Sequence, residues 1–288
     1  MKVGALLRET TLRFRAARLH FGHGTANALD EASWLIGHVT GIHPGDVHLH
    51  KGDAVSASGI KRVRRLAERR MRERIPLAYL LREAWLDGRT FHVDRRVIVP
   101  RSYISELLRE RLRPWMRRPV RRVLDLCTGS GCLAILAAHA YPKSRVDATD
   151  ISAAALQVAR INVDRYGFAR RIRVLRSDLF RSIANERYDL ILTNPPYVNA
   201  RTMKGLPREY RYEPVNALAA GQDGLEIVRR ILAQASAHLA PRGVLVCEVG
   251  DSRRALERAF PLLPFTWPET SEPEACVFLL EREQLPVG

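Results

Sequence analysis

The feature that most constrains this chain is a rhythm that starts near Arg122 and runs to the C-terminus. Short apolar runs at 123–127, 145–150, 172–176, 188–193 and 243–248 alternate with segments of helical periodicity at 131–141, 153–166 and 223–239. Such alternation argues for parallel βαβ units, because each strand needs a crossover helix before the next can lie beside it. A further helix after Asp251 and an edge pair near 265–267 and 276–280 complete an expected sheet of seven strands. The fold class read from this pattern is α/β, a Rossmann-like doubly wound sheet.

The first 122 residues have a different grammar. Helical spacing is expected over 2–22, where Leu6, Leu7, Leu12, Phe14 and Leu19 recur, and over 28–39, where Leu29, Ala32, Ile36 and Val39 share a face and Gly41 stops the run. A very basic helix follows over 58–74, ending at Ile75-Pro76. The pattern then becomes β-like, with 84–86 and 90–93 flanking the Asp87-Gly88 turn signal. The expected organisation is therefore a helical unit over 1–83, a linking hairpin over 84–99 and the α/β unit over 100–288.

Charge adds one partner expectation. Lys and Arg exceed Asp and Glu by 14 in residues 1–122 but by only 2 in residues 123–288. A one-sided basic field favours a polyanion such as RNA, although an arginine-rich composition, 42 Arg against 5 Lys, raises the same count without one. No apolar run approaches the roughly 20 residues of a membrane span, and 1–20 lacks the apolar block of a secretion signal. The four cysteines are scattered, which argues against a disulfide framework or zinc cluster and for reduced thiols in the cytoplasm. The N-terminal histidines lack metal-ligand spacing, so no metal is expected.

Chemistry concentrates at two places. In Val123-Leu124-Asp125-Leu126-Cys127-Thr128-Gly129-Ser130-Gly131-Cys132 the glycines let the chain turn from strand to helix and let a ligand approach main chain. Asp150, nineteen residues after Gly131, closes the next strand where a carboxylate can accept both ribose hydroxyls. Together they specify an adenosine-type site. Gly129 to Ala134 also satisfies G-x-G-x-x-A, so a dinucleotide dehydrogenase is a competing reading. Asp125, expected at the mouth of the loop, would repel a pyrophosphate and suits S-adenosylmethionine, which carries an ammonium and a sulfonium; its alternative is a cap for the turn. Asp178 follows the third strand where an adenine amine would lie, with Leu179 or Phe180 against the ring. The second place is Asn194-Pro195-Pro196-Tyr197, directly after the fourth strand. An Asn side-chain carbonyl, the Pro195 backbone carbonyl, a stiffened loop and the flat wall of Tyr197 suit a planar NH2 as methyl acceptor.

The combination DLCTGSG, ATD at 148–150, SDLF and NPPY resembles the HemK-like protein-(glutamine-N5) methyltransferases, and the match covers nearly the whole chain. FGHGTANALDEA at 21–32, RIPLAYLLREAW at 74–85, VIVPRS at 97–102 and LPREYRYEP at 206–214 are similar to the branch acting on large-subunit ribosomal protein three, the PrmB type. The release-factor branch usually reads PRPDTE where this chain has Pro100-Arg101-Ser102-Tyr103-Ile104-Ser105-Glu106. The chain also departs from the branch at Tyr103, a usual proline, and at 268–274, a usual glycine-rich turn.

The resemblance implies a class I S-adenosylmethionine fold, a ribosomal protein as substrate and no membrane partner. It implies donor contacts from the loop Asp125, Cys127, Thr128, Gly129, Ser130 and Gly131 and from Asp150, Asp178, Leu179 and Asn194. Asn194, Pro195, Pro196 and Tyr197 are implied as acceptor contacts, with Asn194, Pro195 and Tyr197 at the reacting centre. Alternatives weighed are a release-factor glutamine, an exocyclic amine of RNA or DNA, and a non-catalytic RNA-binding assembly factor.

Overall fold

The computed structural model describes residues 1–272 and 276–286. Three helices and a short fourth form the N-terminal region: α1 (Val3–Ala16), α2 (Ala28–Thr40), α3 (Ala57–Glu73) and α4 (Leu77–Leu81). Asn27 caps α2 by accepting from the N–H groups of Leu29 and Asp30, and Gly41 ends it in a left-handed conformation. On α3 only Val63, Leu66, Ala67 and Arg70 are buried, so the rest of its basic surface faces water. The α1 helix stops well before residue 22, because Arg18 turns left-handed and sends His20 and Phe21 into a loop.

The hairpin forms as read: β1 (Ala84–Leu86) pairs antiparallel with β2 (Arg89–Phe91), and Asp87 and Gly88 both have positive φ, as a type I′ turn requires. Val97 and Val99 are buried, Ile98 is half-buried, and residues 97–99 form no strand. After α5 (Ile104–Arg109) come β3 (Arg122–Leu126), α6 (Cys132–Ala140), β4 (Arg145–Asp150), α7 (Ala153–Arg165), β5 (Ile172–Arg176) and β6 (Tyr188–Thr193). Then follow α8 (Ala200–Gly205), a run of 3-10 turns over 208–217, α9 (Glu226–Leu232), α10 (Ala235–His238), β7 (Leu239–Gly250), α11 (Arg253–Ala259) and β8 (Cys276–Glu281).

The strands form one sheet in the order β5-β4-β3-β6-β7-β8, all parallel except the antiparallel β8. Seven strands are expected, and among the described residues the sheet has six. The seventh is reduced to one bridge, Thr266 with Leu279, because Pro264 and Pro268 flank that stretch and proline cannot donate to a ladder. The helix expected over 223–239 is two helices. Of the divergent stretch at 268–274, residues 273 and 274 lie outside the described residues.

Both faces of the sheet are buried. Leu190 and Leu192 pack with α6 on one face, and Leu124, Leu126 and Ile191 with α9 on the other. The N-terminal core is not sealed off: Val93, Val97 and Val99 carry it across to Ala155 and Val158 of α7. The chain order reverses at β3, between β4 and β6, so the carboxyl ends of β3, β4 and β6 open on the crevice where open α/β sheets hold ligands.

Candidate active site

Past the end of β3, Cys127, Gly129 and Gly131 all take positive φ. A side chain at Gly129 would meet nothing within 4 Å, so its missing Cβ leaves the floor of a cavity open. At Gly131 a Cβ would press on Ala159 at 3.2 Å, so that glycine serves helix packing instead. The N–H of Thr128 reaches the Thr149 carbonyl at 2.9 Å, and that of Gly129 reaches Asp150 Oδ2 at 2.9 Å. Asp150 is thereby fixed at the end of β4, and burial pushes its carboxyl upward.

Cys127, Gly129, Asp150, Asp178, Leu179, Asn194 and Pro196 line one cavity of about 810 Å³. Leu179 is held in a left-handed turn by Ser177 Oγ, which donates to its carbonyl at 2.6 Å. Asp178 pairs with Arg230 of α9 at 2.7 Å, a partner that the sequence did not announce.

Thr128, Ser130, Gly131 and Asp125 do not line this cavity. Asp125 was expected at the loop mouth, but it lies beneath the loop, buried, with Oδ2 accepting from Thr128 Oγ1 and from the Ala134 N–H at 2.9 Å. The reason is strand alternation: Asp125 points down against α6, and burial raises its carboxyl to about 7. Ser130 acts through its carbonyl, which accepts from buried Asn162 at 2.8 Å; Asn162 also brackets the N–H and C=O of His92.

These contacts test which ligand fits. The N–H groups of Thr128, Gly129, Gly131 and Ala134 already have acceptors, two of them carboxylates, so a pyrophosphate finds them taken. Both arginines at the cavity are also paired, Arg230 with Asp178 and Arg96 with Asp94. Asp125 Oδ1, beneath the loop, is buried with no partner. A pocket lined by Asp150 and Asp178, with its loop N–H groups already bonded, suits a cationic adenosine compound such as S-adenosylmethionine.

Asn194, Pro195 and Tyr197 line a second cavity of about 570 Å³, with Arg101, Ile98, Leu206 and Tyr210. Asn194 belongs to both cavities, so it stands at their junction. Its Nδ2 donates to the Arg101 carbonyl at 3.2 Å and to Glu248 Oε1 at 3.1 Å. Tyr197 is seated on Gly250, where a Cβ would fall 2.6 Å from its ring. Arg101 forms a two-pronged pair with buried Glu213 at 2.8 and 2.7 Å, and Glu213 also accepts from the Val99 N–H at 3.0 Å. The pair keeps Arg101 protonated throughout the accessible pH range.

Glu248, Arg101, Glu213, Asn162 and Arg230 were not read as site residues. One signal was present for Glu248, a lone acid within the apolar run VLVCEVG of a central strand. The others are joined to the site only by long-range contacts.

Residues 103–206 match the family model of the methyltransferase small domain, and residues 5–81 match that of the PrmC N-terminal domain. The solved hMettl16 catalytic domain, in complex with MAT2A 3′UTR hairpin 6, is similar in fold at a TM-score of 0.54 and 17% identity, covering 85% of this chain and 91% of that one. A ribosomal protein uL3 glutamine methyltransferase of Bordetella pertussis is 51% identical over 282 residues, 97% of this chain and 95% of that protein. Its counterpart from Burkholderia pseudomallei is 48% identical over 290 residues, 98% of this chain and 94% of that protein. With half its residues shared along almost the full length of both partners, and with the glycine loop and the Asn-Pro-Pro-Tyr loop set at the two sides of one crevice, the chain belongs to the family of ribosomal protein uL3 glutamine methyltransferases.

Proposed function

We propose that the protein transfers a methyl group from S-adenosylmethionine to the side-chain amide nitrogen of a glutamine in ribosomal protein uL3. The observation that carries this reading is Asn194: both hydrogens of its amide face obligate acceptors, which leaves its oxygen for a planar NH2 entering between the two cavities. When bound, the donor supplies an electrophilic methyl whose sulfur leaves as a neutral thioether.

An amide nitrogen is a poor nucleophile because its lone pair is delocalised into the carbonyl. Asn194 Oδ1 and the Pro195 carbonyl accept its two hydrogens and hold the nitrogen with its lone pair aimed at the methyl carbon, while Pro196 stiffens the loop and Tyr197 closes one wall. As the N–C bond forms, positive charge develops on nitrogen and its hydrogens become strongly acidic. The same two acceptors stabilise that charge, and one of these protons is then lost to solvent to give the neutral N-methyl amide, so no strong base is needed before attack. On the donor side Cys127, Gly129, Asp150, Asp178 and Leu179 form the wall of the site, and Asp125, Thr128, Ser130 and Gly131 build the loop behind them.

We assign residues 1–83 to recognition of the ribosomal protein, 84–99 to a linking hairpin and 100–288 to catalysis. The core shared by residues 93–99 and α7 supports close docking of the two ends. The substrate class favours action in the cytoplasm, on a ribosome assembly intermediate whose RNA the basic face of α3 would touch.

Purified protein, labelled donor and uL3 test the reading: one methyl on one glutamine is expected by mass spectrometry, and the label should survive ribonuclease. A nuclease-sensitive label, or transfer only to a release factor, would replace it.

A further inference from the structure

Behind Asn194 lies the buried carboxyl of Glu248. We infer that Glu248 is the positioning residue that sets which way the Asn194 amide points, and so decides whether the acceptor site presents an acceptor or a donor. This rests on the reading of the site given above.

Strand register places the two side by side. Thr193 pairs with Cys247 across β6 and β7, which makes Asn194 and Glu248 neighbours at the strand ends. Glu248 is 1% exposed, so water does not substitute for its partners. Its Oε2 accepts from Ser102 Oγ at 2.6 Å and from the Tyr103 N–H at 3.0 Å, and its Oε1 accepts from Asn194 Nδ2 at 3.1 Å. The Tyr103 N–H is a donor that cannot turn round. It therefore fixes Oε2 as an acceptor; with the carboxyl ionised Oε1 is an acceptor too, and Asn194 answers with its NH2. The Asn194 oxygen is left for substrate.

Glu248→Gln reverses this chain of demands while changing size very little. The Gln oxygen is drawn to the Tyr103 N–H and its NH2 faces the Asn194 NH2, which the Arg101 carbonyl also holds. Asn194 is driven to turn against that carbonyl, and where it turns substrate NH2 meets another NH2. Protonating Glu248 does the same, because the added hydrogen sits on the oxygen facing Asn194. Burial raises this carboxyl to about 7, against Arg101 and the hydrogen bonds of Ser102 and the Tyr103 N–H; the Tyr103 phenol, Tyr197 and Cys247 are the other titratable neighbours.

The test compares kcat on uL3 and S-adenosylmethionine affinity by calorimetry for wild type, Glu248→Gln, Glu248→Asp and Asn194→Ala. Glu248→Gln should lose roughly ten- to a hundredfold in kcat with donor affinity within about threefold. Glu248→Asp, further from Glu in size but still an acceptor, should retain more activity than Glu248→Gln. In an Asn194→Ala background Glu248→Gln should cost less than about twofold, since the two act as one unit. Wild-type kcat should rise through about pH 7, and Glu248→Gln should lack that limb.

Wild type inactive on uL3 overturns the functional reading and this inference with it. An active wild type with Glu248→Gln at near-normal kcat, or with Gln better than Asp, overturns the Glu248 assignment alone. If Glu248→Gln does not fold, a wild-type kcat flat from pH 6 to 8 overturns it.

Discussion

Asp125 and Glu248 are governed by burial more than by any opposing charge, and both are raised to about 7 from an ordinary carboxylate value near 4. The native state therefore keeps protons that the unfolded chain gives up. Stability contributed by these groups falls as pH rises from about 4 to about 7 and is level above that. Urea unfolding at pH 5 and pH 8 should show this fall, and Asp125→Asn should flatten it. For Asn194→Ala the expectation is a kcat loss of roughly a hundred- to a thousandfold with donor affinity nearly kept, read from single-turnover methylation and calorimetry. Gly129, Asp150 and Asn194 were legible from spacing alone because each follows a strand by a fixed count. Whether a side chain lies above or below the loop was not: one step of strand alternation moves Asp125 from the cavity to its underside.

Two close approaches at the ends of elements carry the site. Gly250, the last residue of β7, has φ +53° and lies beneath the Tyr197 ring. Gly250→Ala should cost about 1–3 kcal/mol in strain and displacement and lower kcat, measured by denaturation and turnover together. Asn162, on α7, bonds the loop at Ser130 and the chain leaving β2 at His92, and it is fully buried. Its replacement by Ala leaves three backbone groups without their partner, and a loss of about 2–4 kcal/mol in urea unfolding is expected. The strand and helix types followed from periodicity, and the Asp87-Gly88 turn from its two residues. The missing seventh strand and the break between α9 and α10 did not, because ladder pairing and helix continuity are settled by neighbours outside the local window.

At the scale of the molecule, a strap over 206–217 joins the helical region to the crevice. Buried Arg70 of α3 holds Glu31 at 2.6 Å, the His20 carbonyl at 2.8 Å and Glu209 at 3.5 Å, while Arg101 and Glu213 tie the far end of the strap beside Asn194. Arg70→Met leaves buried Glu31 without its charged partner, while Glu209 keeps Arg74 at 3.3 Å, and should destabilise the protein by about 3–5 kcal/mol, with KM for uL3 rising more than donor Kd changes. The linear order of residues determined the parallel α/β sheet, the glycine loop, the place of Asp150 at the end of β4 and the Asn-Pro-Pro-Tyr turn, since each depends on chemistry within a few positions. Tertiary structure alone decided the roles of Glu248, Arg101, Glu213, Asn162 and Arg70. Those roles depend on which donor meets which acceptor once water is excluded, and partners 32 to 146 positions apart leave no periodicity to read.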